Sequence, residues 1–149
     1  MRGCRSRVPM RQWLLSLPKR LRPALRNHAA LAAGMLRIFV GSIEHELRRS
    51  AAAPASAFLG TVSFLQRFGS ALNDYRHYHC CVTDGGFVAA DARTLAFAPA
   101  QVDAGDVVRV QARVRRRVLA AYRRHGVHSA EDAGYMAGWD HCVGFYLLG

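Results

Sequence analysis

The chain has 149 residues, of which 51% are hydrophobic and 21% charged, and its formal net charge is +11. These values are typical of one globular domain with a buried core, and they exclude a disordered tail. No apolar run approaches the roughly 18 residues of a membrane-spanning helix and no signal-peptide pattern is present, so a cytoplasmic protein with no membrane segment is expected.

The first predicted elements are a short strand and a long helix. Residues 13–17 are apolar and end at a proline, which predicts a short buried strand. A basic turn or short helix follows, with Lys19, Arg20 and Arg22. Between residues 29 and 49 apolar side chains recur every three or four positions, so we expect a helix that packs on a sheet. Residues 51–56 are a linker loop after this helix.

The middle of the chain holds the most informative pattern. Residues 61–68 are rich in β-branched and aromatic side chains, which predicts a strand, and His77 and His79 lie on a second strand. Because strand side chains alternate between faces, the two imidazoles project side by side from one face. Tyr78 then points to the opposite face, into the core. Asp84 and the two glycines after it predict a turn that closes this strand into a hairpin with the residues that follow.

The last third is predicted to contain an edge strand and a basic helix. Residues 95–97 form a short apolar run that a proline ends. Asp103 or Asp106 then caps a strongly amphipathic helix that Gly126 ends. Opposite its apolar side lie mostly arginines: Arg109, Arg113, Arg116, Arg117 and Arg124. Another short helix is expected from Ser129 to about residue 138.

The positive charge lies in the two flanks of the chain. Residues 1–49 carry eleven cationic and two acidic side chains, residues 50–105 carry three and four, and residues 106–149 carry seven and four. Twenty of the 21 cationic residues are arginine, so a polyanionic partner is expected, although a high-GC coding bias would also raise the arginine content. The distribution suits a central site with basic elements around it that hold a phosphate backbone.

Cysteine spacing excludes two other classes of protein. The four cysteines contain no CxxC pair, so neither a zinc ribbon nor a disulfide framework is indicated. They are Cys4, Cys80, Cys81 and Cys142.

A His-x-His pair alone is a weak indicator, because seven histidines in 149 residues make a chance pair unsurprising. The residues around this pair are more specific. They resemble the central motif of the HUH-type transposases of rolling-circle insertion sequences, in which Gln-Arg-Phe-Gly-Ser-Ala-Leu-Asn is followed by His, a bulky residue, His, and then Asp-Gly. The matching residues are Gln66, Arg67, Phe68, Gly69, Ser70, Ala71, Leu72, Asn73, His77, Tyr78, His79, Asp84 and Gly85.

The resemblance extends to both sides of this motif. Residues 8–22 resemble the family's entry to the domain, and residues 137–141 resemble a degraded Trp-Gly-His-Gly-Gly-Gly segment. It implies an α+β fold, with helices packed on an antiparallel sheet as in HUH endonucleases. It also implies that residues 1–149 are a single partial transposase (HUH nuclease) domain, without the family's amino-terminal zinc-binding domain and incomplete at the C-terminus.

The resemblance also implies a metal site. In the family two histidines and a third polar ligand hold Mg²⁺ or Mn²⁺, which polarises the scissile phosphate of single-stranded DNA. His77 and His79 are therefore the expected ligands, with Gln66 as the favoured third. Three other residues remain open as the third ligand: Asn73, Asp74 and Asp84.

The implied partner is the single-stranded DNA of element ends, and the implied activity is DNA transposition by metal-dependent strand cleavage and transfer. The basic residues expected to contact the DNA are Lys19, Arg20, Arg22, Arg67, Arg109, Arg113, Arg116 and Arg117.

The catalytic residue stays unknown. In the family a tyrosine attacks the phosphate and forms a 5′-phosphotyrosine link, and this tyrosine lies in a helix beyond the point where the chain stops. None of the chain's own tyrosines is assignable as this nucleophile: Tyr75 and Tyr78 lie in the motif strand region, Tyr122 lies on the basic helix, and Tyr135 and Tyr146 have no family counterpart. We therefore expect a protein that neither cleaves nor joins DNA. A non-enzymatic basic nucleic-acid-binding module and a decayed transposase remnant remain the alternatives.

Overall fold

The computed structural model describes residues 7–68, 74–127 and 146–148. Within these residues six strands and three α-helices are present. The strands are β1 (Met10–Ser16), β2 (Thr61–Phe68), β3 (Asp74–Thr83), β4 (Gly85–Ala89), β5 (Leu95–Pro99) and β6 (Tyr146–Leu148). The helices are α1 (Arg22–Asn27), α2 (Ala29–Ser50) and α3 (Ala104–Arg124), and a single 3-10 turn (Lys19–Leu21) precedes α1. The predicted α+β class is confirmed.

The main sheet has four strands in the order β2-β3-β1-β6, and the pairs β2–β3, β1–β3 and β1–β6 are all antiparallel. β3, which carries the histidine pair, therefore lies in the interior with a partner on each side. The predicted strand at residues 13–17 is confirmed as the second half of β1, which begins three residues earlier.

One face of this sheet forms the core with the helices. Alternation along β1 and β3 turns Trp13, Leu15, Tyr78 and Cys80 to the same side, where each is at most 1% exposed. They join one apolar cluster with the buried sides of α2 and α3. The predicted packing of the long helix on the sheet is confirmed, because the Tyr78 hydroxyl donates a hydrogen bond to the Ala32 carbonyl oxygen of α2 at 3.2 Å.

Four charged side chains join α2 to the start of α3. Glu46 and Asp106 are buried, and Arg49 and Arg109 cover them from the solvent side. Arg49 binds Glu46 at 2.6 Å and Asp106 at 2.5 Å, and Arg109 binds Glu46 at 2.6 Å and also Asp106. Each carboxylate thus has two arginine partners, which satisfies the rule that buried charges are paired.

A capping box fixes the start of α3. The Asp106 backbone N–H donates to the Asp103 side chain, and the Asp103 backbone N–H donates to the Asp106 side chain, both at 2.9 Å. The two sequence candidates for the cap therefore act together. At the other end Gly126 has a φ of 67°, a conformation in which glycine is favoured, and the predicted helix end is confirmed.

The predicted hairpin between the histidine strand and the residues after it is wrong. β4 pairs with β5 in a separate two-stranded sheet. The physical reason is that β1 and β2 already occupy both edges of β3. Asp84 lies at the exit from β3, where Arg11 holds its carboxylate through two hydrogen bonds of 3.1 and 2.9 Å. Gly85 then has a φ of 153°, and a Cβ there would lie 2.2 Å from the Ala98 carbonyl oxygen.

Two sequence-based predictions lie outside the described residues. They are the short helix from Ser129 to about residue 138 and the Trp-Asp-His segment that resembles a family motif. Among the described residues, no helix is both long and apolar enough to cross a membrane.

Candidate metal and nucleic-acid site

The face of the sheet that the helices leave uncovered carries the predicted metal ligands. His77 lies opposite Gln66 of β2, and His79 lies opposite Phe64. Directly opposed residues of an antiparallel pair share a face, so all four belong to the uncovered side. The two predicted histidines and the favoured third ligand, Gln66, are thus brought together in one patch.

His77 is partly buried. Burial lowers the pKa of His77, and the nearby charges of His79 and Arg22 lower it further. The imidazole is therefore neutral at physiological pH, which is the form that binds a metal ion. Arg22 belongs to the first turn of α1 and donates hydrogen bonds to the Leu17 carbonyl oxygen at 2.8 Å and the Ser16 hydroxyl at 3.5 Å. It brings a fixed positive charge to the His77 end of the patch.

His79 is held by two neighbours. Its ring stacks on Phe64, with centroids 4.7 Å apart and planes within 4° of parallel. The Gln12 amide nitrogen of β1 lies 3.3 Å from His79 Nδ1. Because an amide can turn to present its oxygen, Gln12 can also accept a hydrogen bond from Nδ1–H and leave Nε2 to bind a metal. Phe64 is 51% exposed, so the outer surface of its ring is open to solvent.

The two imidazoles of His77 and His79 would need an oxygen ligand, such as the Gln66 amide, to suit a hard divalent ion. The two imidazole centroids lie 6.2 Å apart with a tilt of 58°. Among the described residues no group of three or more His, Cys, Asp or Glu side chains is placed to hold a metal ion. Gln66 is directly across from His77, and an amide oxygen is a kind of ligand that Mg²⁺ and Mn²⁺ accept beside imidazoles.

The other candidates for the third ligand differ in position. Asp84 follows the far end of β3, where Arg11 binds its carboxylate. Asp74 begins β3 and pairs with Phe68, at the end nearer to His77. Asn73 lies outside the described residues.

The predicted DNA-binding residues fall into two groups. One group belongs to segments at the His77 end of the main sheet: Arg67 follows Gln66 on β2, Lys19 and Arg20 are exposed on the turn after β1, and Arg22 contacts Ser16. The other group lies on α3, in the helical layer behind the sheet. It comprises Arg109, which pairs with Glu46 and Asp106, together with Arg113, Arg116 and Arg117.

Two of the five tyrosines are fixed in the core. Burial raises the pKa of Tyr78 to about 12, with Arg76 acting in the opposite direction, and burial with nearby Tyr78 also raises the pKa of Tyr122. The Tyr122 hydroxyl donates to the Leu21 carbonyl oxygen at 2.7 Å. Neither hydroxyl reaches the open face, and the prediction that Tyr78 belongs to the core is confirmed.

Sequence reasoning missed Phe64 and Gln12 as neighbours of the histidines. Alternation on β2 could have placed Phe64 and Gln66 on one face, but which strand they faced was not predictable from a local pattern. Gln12 is 67 positions from His79, and only the register of β1 against β3 brings the two together.

Residues 60–137 of the chain match the family model described as "Putative transposase". The matched region begins just before β2, contains the histidine strand and runs past the end of α3. No curated protein and no solved structure matches the chain. Because the family match spans more than half of the sequence and includes the whole histidine patch, this chain belongs to that transposase family.

Proposed function

We propose that the open face of the sheet binds a divalent metal ion and the phosphate backbone of single-stranded DNA, as a step in DNA transposition. Membership of the transposase family supports the transposition-related part of this proposal. The observation that carries the rest is the strand register, which sets Gln66 opposite His77 and leaves His79 two positions further along the same face.

His77, His79 and Gln66 would hold Mg²⁺ or Mn²⁺. The ion would supply a positive charge that polarises a phosphodiester. The surrounding residues prepare this site: Phe64 and Gln12 fix the His79 ring, and burial keeps His77 neutral. Such support is important because metal ligands bind well only when their own side chains are oriented.

The DNA would lie across the His77 end of the face. Arg22 supports this path, because its charge is close enough to lower the pKa of His77. The exposed side chains of Lys19, Arg20 and Arg67 extend the positive surface along the same end. Phosphate contacts of this kind bind without reading sequence, and the exposed ring of Phe64 offers a surface on which a base can stack.

A non-enzymatic nucleic-acid-binding protein is the second candidate. The observation that favours it is the position of Tyr78 and Tyr122, whose hydroxyls are both bound to backbone carbonyl groups in the core. DNA binding that is the same with and without metal would support this candidate.

Manganese titration tests the metal site. The protein is expected to bind Mn²⁺, and His77→Ala combined with His79→Ala is expected to abolish binding because both imidazole ligands are lost. A matched control removes two exposed histidines elsewhere, by His28→Ala combined with His125→Ala. Equal affinity in the wild type and the His77/His79 variant would remove the proposed site.

A further inference from the structure

An open groove lies in the helical layer, on the opposite side of the main sheet from the histidine patch. It runs between α2, the loop that follows α2, and α3, and it has a volume of about 390 Å³. Four basic residues line it: His45, Arg48, Arg49 and Arg113. No carboxylate is among the described residues that line it. We call this feature the α2–α3 groove.

The carboxylates closest to the α2–α3 groove are already paired. Arg48 donates to the Ala57 carbonyl oxygen at 3.0 Å and binds Glu44 at 3.5 Å. Arg49 shares Glu46 and Asp106 with Arg109. Within the part of the chain that the structure describes, Glu44, Glu46 and Asp106 are thus already paired and do not neutralise a further cation in the groove.

Arg113 is the cation that these contacts do not neutralise. Its Nε is buried and has no hydrogen-bond partner among the described residues, and no carboxylate there forms an ion pair with it. A buried donor without an acceptor is unfavourable, because the group has lost its water and gained nothing in return. An oxyanion in the groove would supply the missing acceptor.

A second arginine lies beside a glycine that lines the groove. Gly41 of α2 lines it, and a Cβ added there would lie 3.9 Å from Arg117 Nη1. The guanidinium of Arg117 thus lies beside the groove surface at Gly41, where no side chain is present. Arg113 and Arg117 are four residues apart, so they occupy the same side of α3. Two guanidinium groups can therefore approach one bound group.

We propose that the α2–α3 groove binds a phosphate group through Arg113 and Arg117. Arginine binds phosphate well because its planar N–H groups pair with two oxygens at once. The phosphate is either part of a nucleic-acid backbone or a free anion. This proposal is independent of the metal site, which lies on the other side of the sheet and uses none of these residues.

Two variants change the groove in different ways. Arg113→Gln removes the cation whose Nε has no acceptor. Gly41→Glu places a carboxylate in the groove, where it competes with an external phosphate. The second variant also replaces a helical glycine with a better helix former, and a Cβ at Gly41 has room, so the fold is expected to be retained.

Each variant has a matched control. Gly34→Glu introduces the same charge on the same helix, two turns before Gly41, where a Cβ would meet nothing within 4 Å. Arg93→Gln removes one positive charge from the exposed turn between β4 and β5. Binding of a short single-stranded DNA and of inorganic phosphate is measured by calorimetry for all four variants, in a chelator that keeps the metal site empty.

The groove variants are expected to bind DNA about tenfold more weakly than the wild type. When log affinity is plotted against log salt concentration, the magnitude of the slope should be smaller by about 0.7. Controls should stay within about twofold. Weaker phosphate binding with unchanged DNA binding would support the groove with a free anion as its ligand. If the groove variants match their controls for both ligands, the proposal is overturned.

Discussion

At the scale of single residues, His79 is the side chain of the histidine patch that its neighbours hold most firmly. Its ring lies between the face of Phe64 and the amide of Gln12, so neither rotation nor displacement is free. Restraint of a ligand before the metal arrives reduces the entropy lost on binding. The parallel stack is therefore expected to contribute to metal affinity, although Phe64 cannot itself bind the ion.

Phe64→Leu tests this contribution. Leucine keeps apolar bulk beside His79 but removes the stacked ring, and aromatic pairs contribute about 0.5–1.5 kcal/mol beyond their buried area. We expect Mn²⁺ affinity to fall by roughly two- to tenfold, since about 1.4 kcal/mol corresponds to a factor of ten. Val62→Ala is the control, because Val62 is on the same strand and face and is 64% exposed. An unchanged affinity in Phe64→Leu would show that the stack has no role.

The residue scale also shows what the sequence could predict. Alternation alone placed His77 and His79 on one face and Tyr78 in the core, because these relations depend only on neighbouring positions. The proximity of Gln66 to His77 came from the motif resemblance and agrees with the register. The contacts of Gln12 and Arg22 with this patch depend on pairing between distant segments, which no local pattern contains.

At the scale of elements, the network of Glu46, Asp106, Arg49 and Arg109 joins α2 to α3. Burial alone would raise the pKa of Asp106. Hydrogen bonds from the Asp103 backbone and from Arg109 outweigh it and hold the pKa of Asp106 well below its ordinary value. A carboxylate with a depressed pKa stabilises the fold at pH values above its unfolded pKa of about 3.9, and this stabilisation is lost as the pH falls towards the folded pKa.

Asp106→Asn is expected to lower the free energy of unfolding by about 3 kcal/mol at neutral pH, because it leaves two arginines with one carboxylate. Urea denaturation of both proteins from pH 7 to pH 3 measures the difference. The gap should narrow below about pH 4, where Asp106 takes up a proton in the unfolded wild type but stays ionised in the folded protein. Asp91→Asn, in the exposed turn between β4 and β5, is the control and should change stability less. A gap that stays constant down to pH 3 would contradict this account.

Elements also show where sequence reasoning failed. The bounds of α2 and α3 were predicted to within a few residues, because their apolar spacing and, for α3, its caps are local. The hairpin after β3 was predicted from a correct turn signal at Asp84. Whether β4 can pair with β3, however, depends on whether an edge of β3 is free. Residues far away in sequence, in β1, had already taken that edge of β3.

At the scale of the whole molecule, the chain presents two positively charged sides with the sheet and core between them. One is the open face with the histidines, and the other is the helical layer with the α2–α3 groove. The flanks predicted to be basic supply both sides, since β1 leads into the cations near His77 and α3 carries the arginines behind the sheet. One strand of DNA could contact both sides only by passing around an edge of the sheet.

Strand β6 contains Tyr146, a candidate for the nucleophile that the sequence did not identify. The expectation from sequence was that no tyrosine attacks DNA, and it remains untested. Ser16 of β1 pairs with His77 on one side and with Tyr146 of β6 on the other. The backbone position of Tyr146 is thus in the same cross-strand row as His77, two strand spacings or about 10 Å away. Among the tyrosines on described strands and helices, it alone occupies a position in that row.

Labelled single-stranded DNA incubated with the protein in Mn²⁺, followed by denaturing electrophoresis, tests whether Tyr146 acts. Against the expectation from sequence, the backbone register leads us to expect a covalent protein–DNA adduct that Tyr146→Phe abolishes, because attack needs a hydroxyl within about 3 Å of the phosphorus and the backbone of Tyr146 lies in the same row as His77. Tyr122→Phe is the control and should reduce stability while leaving the adduct unchanged, since that hydroxyl is bound to the Leu21 carbonyl group. The His77/His79 double variant should also lose the adduct.

If DNA binds under these conditions but the wild type forms no adduct, or if the adduct survives Tyr146→Phe, this assignment is wrong. Absence of any adduct would favour the expectation that the chain binds DNA without cutting it.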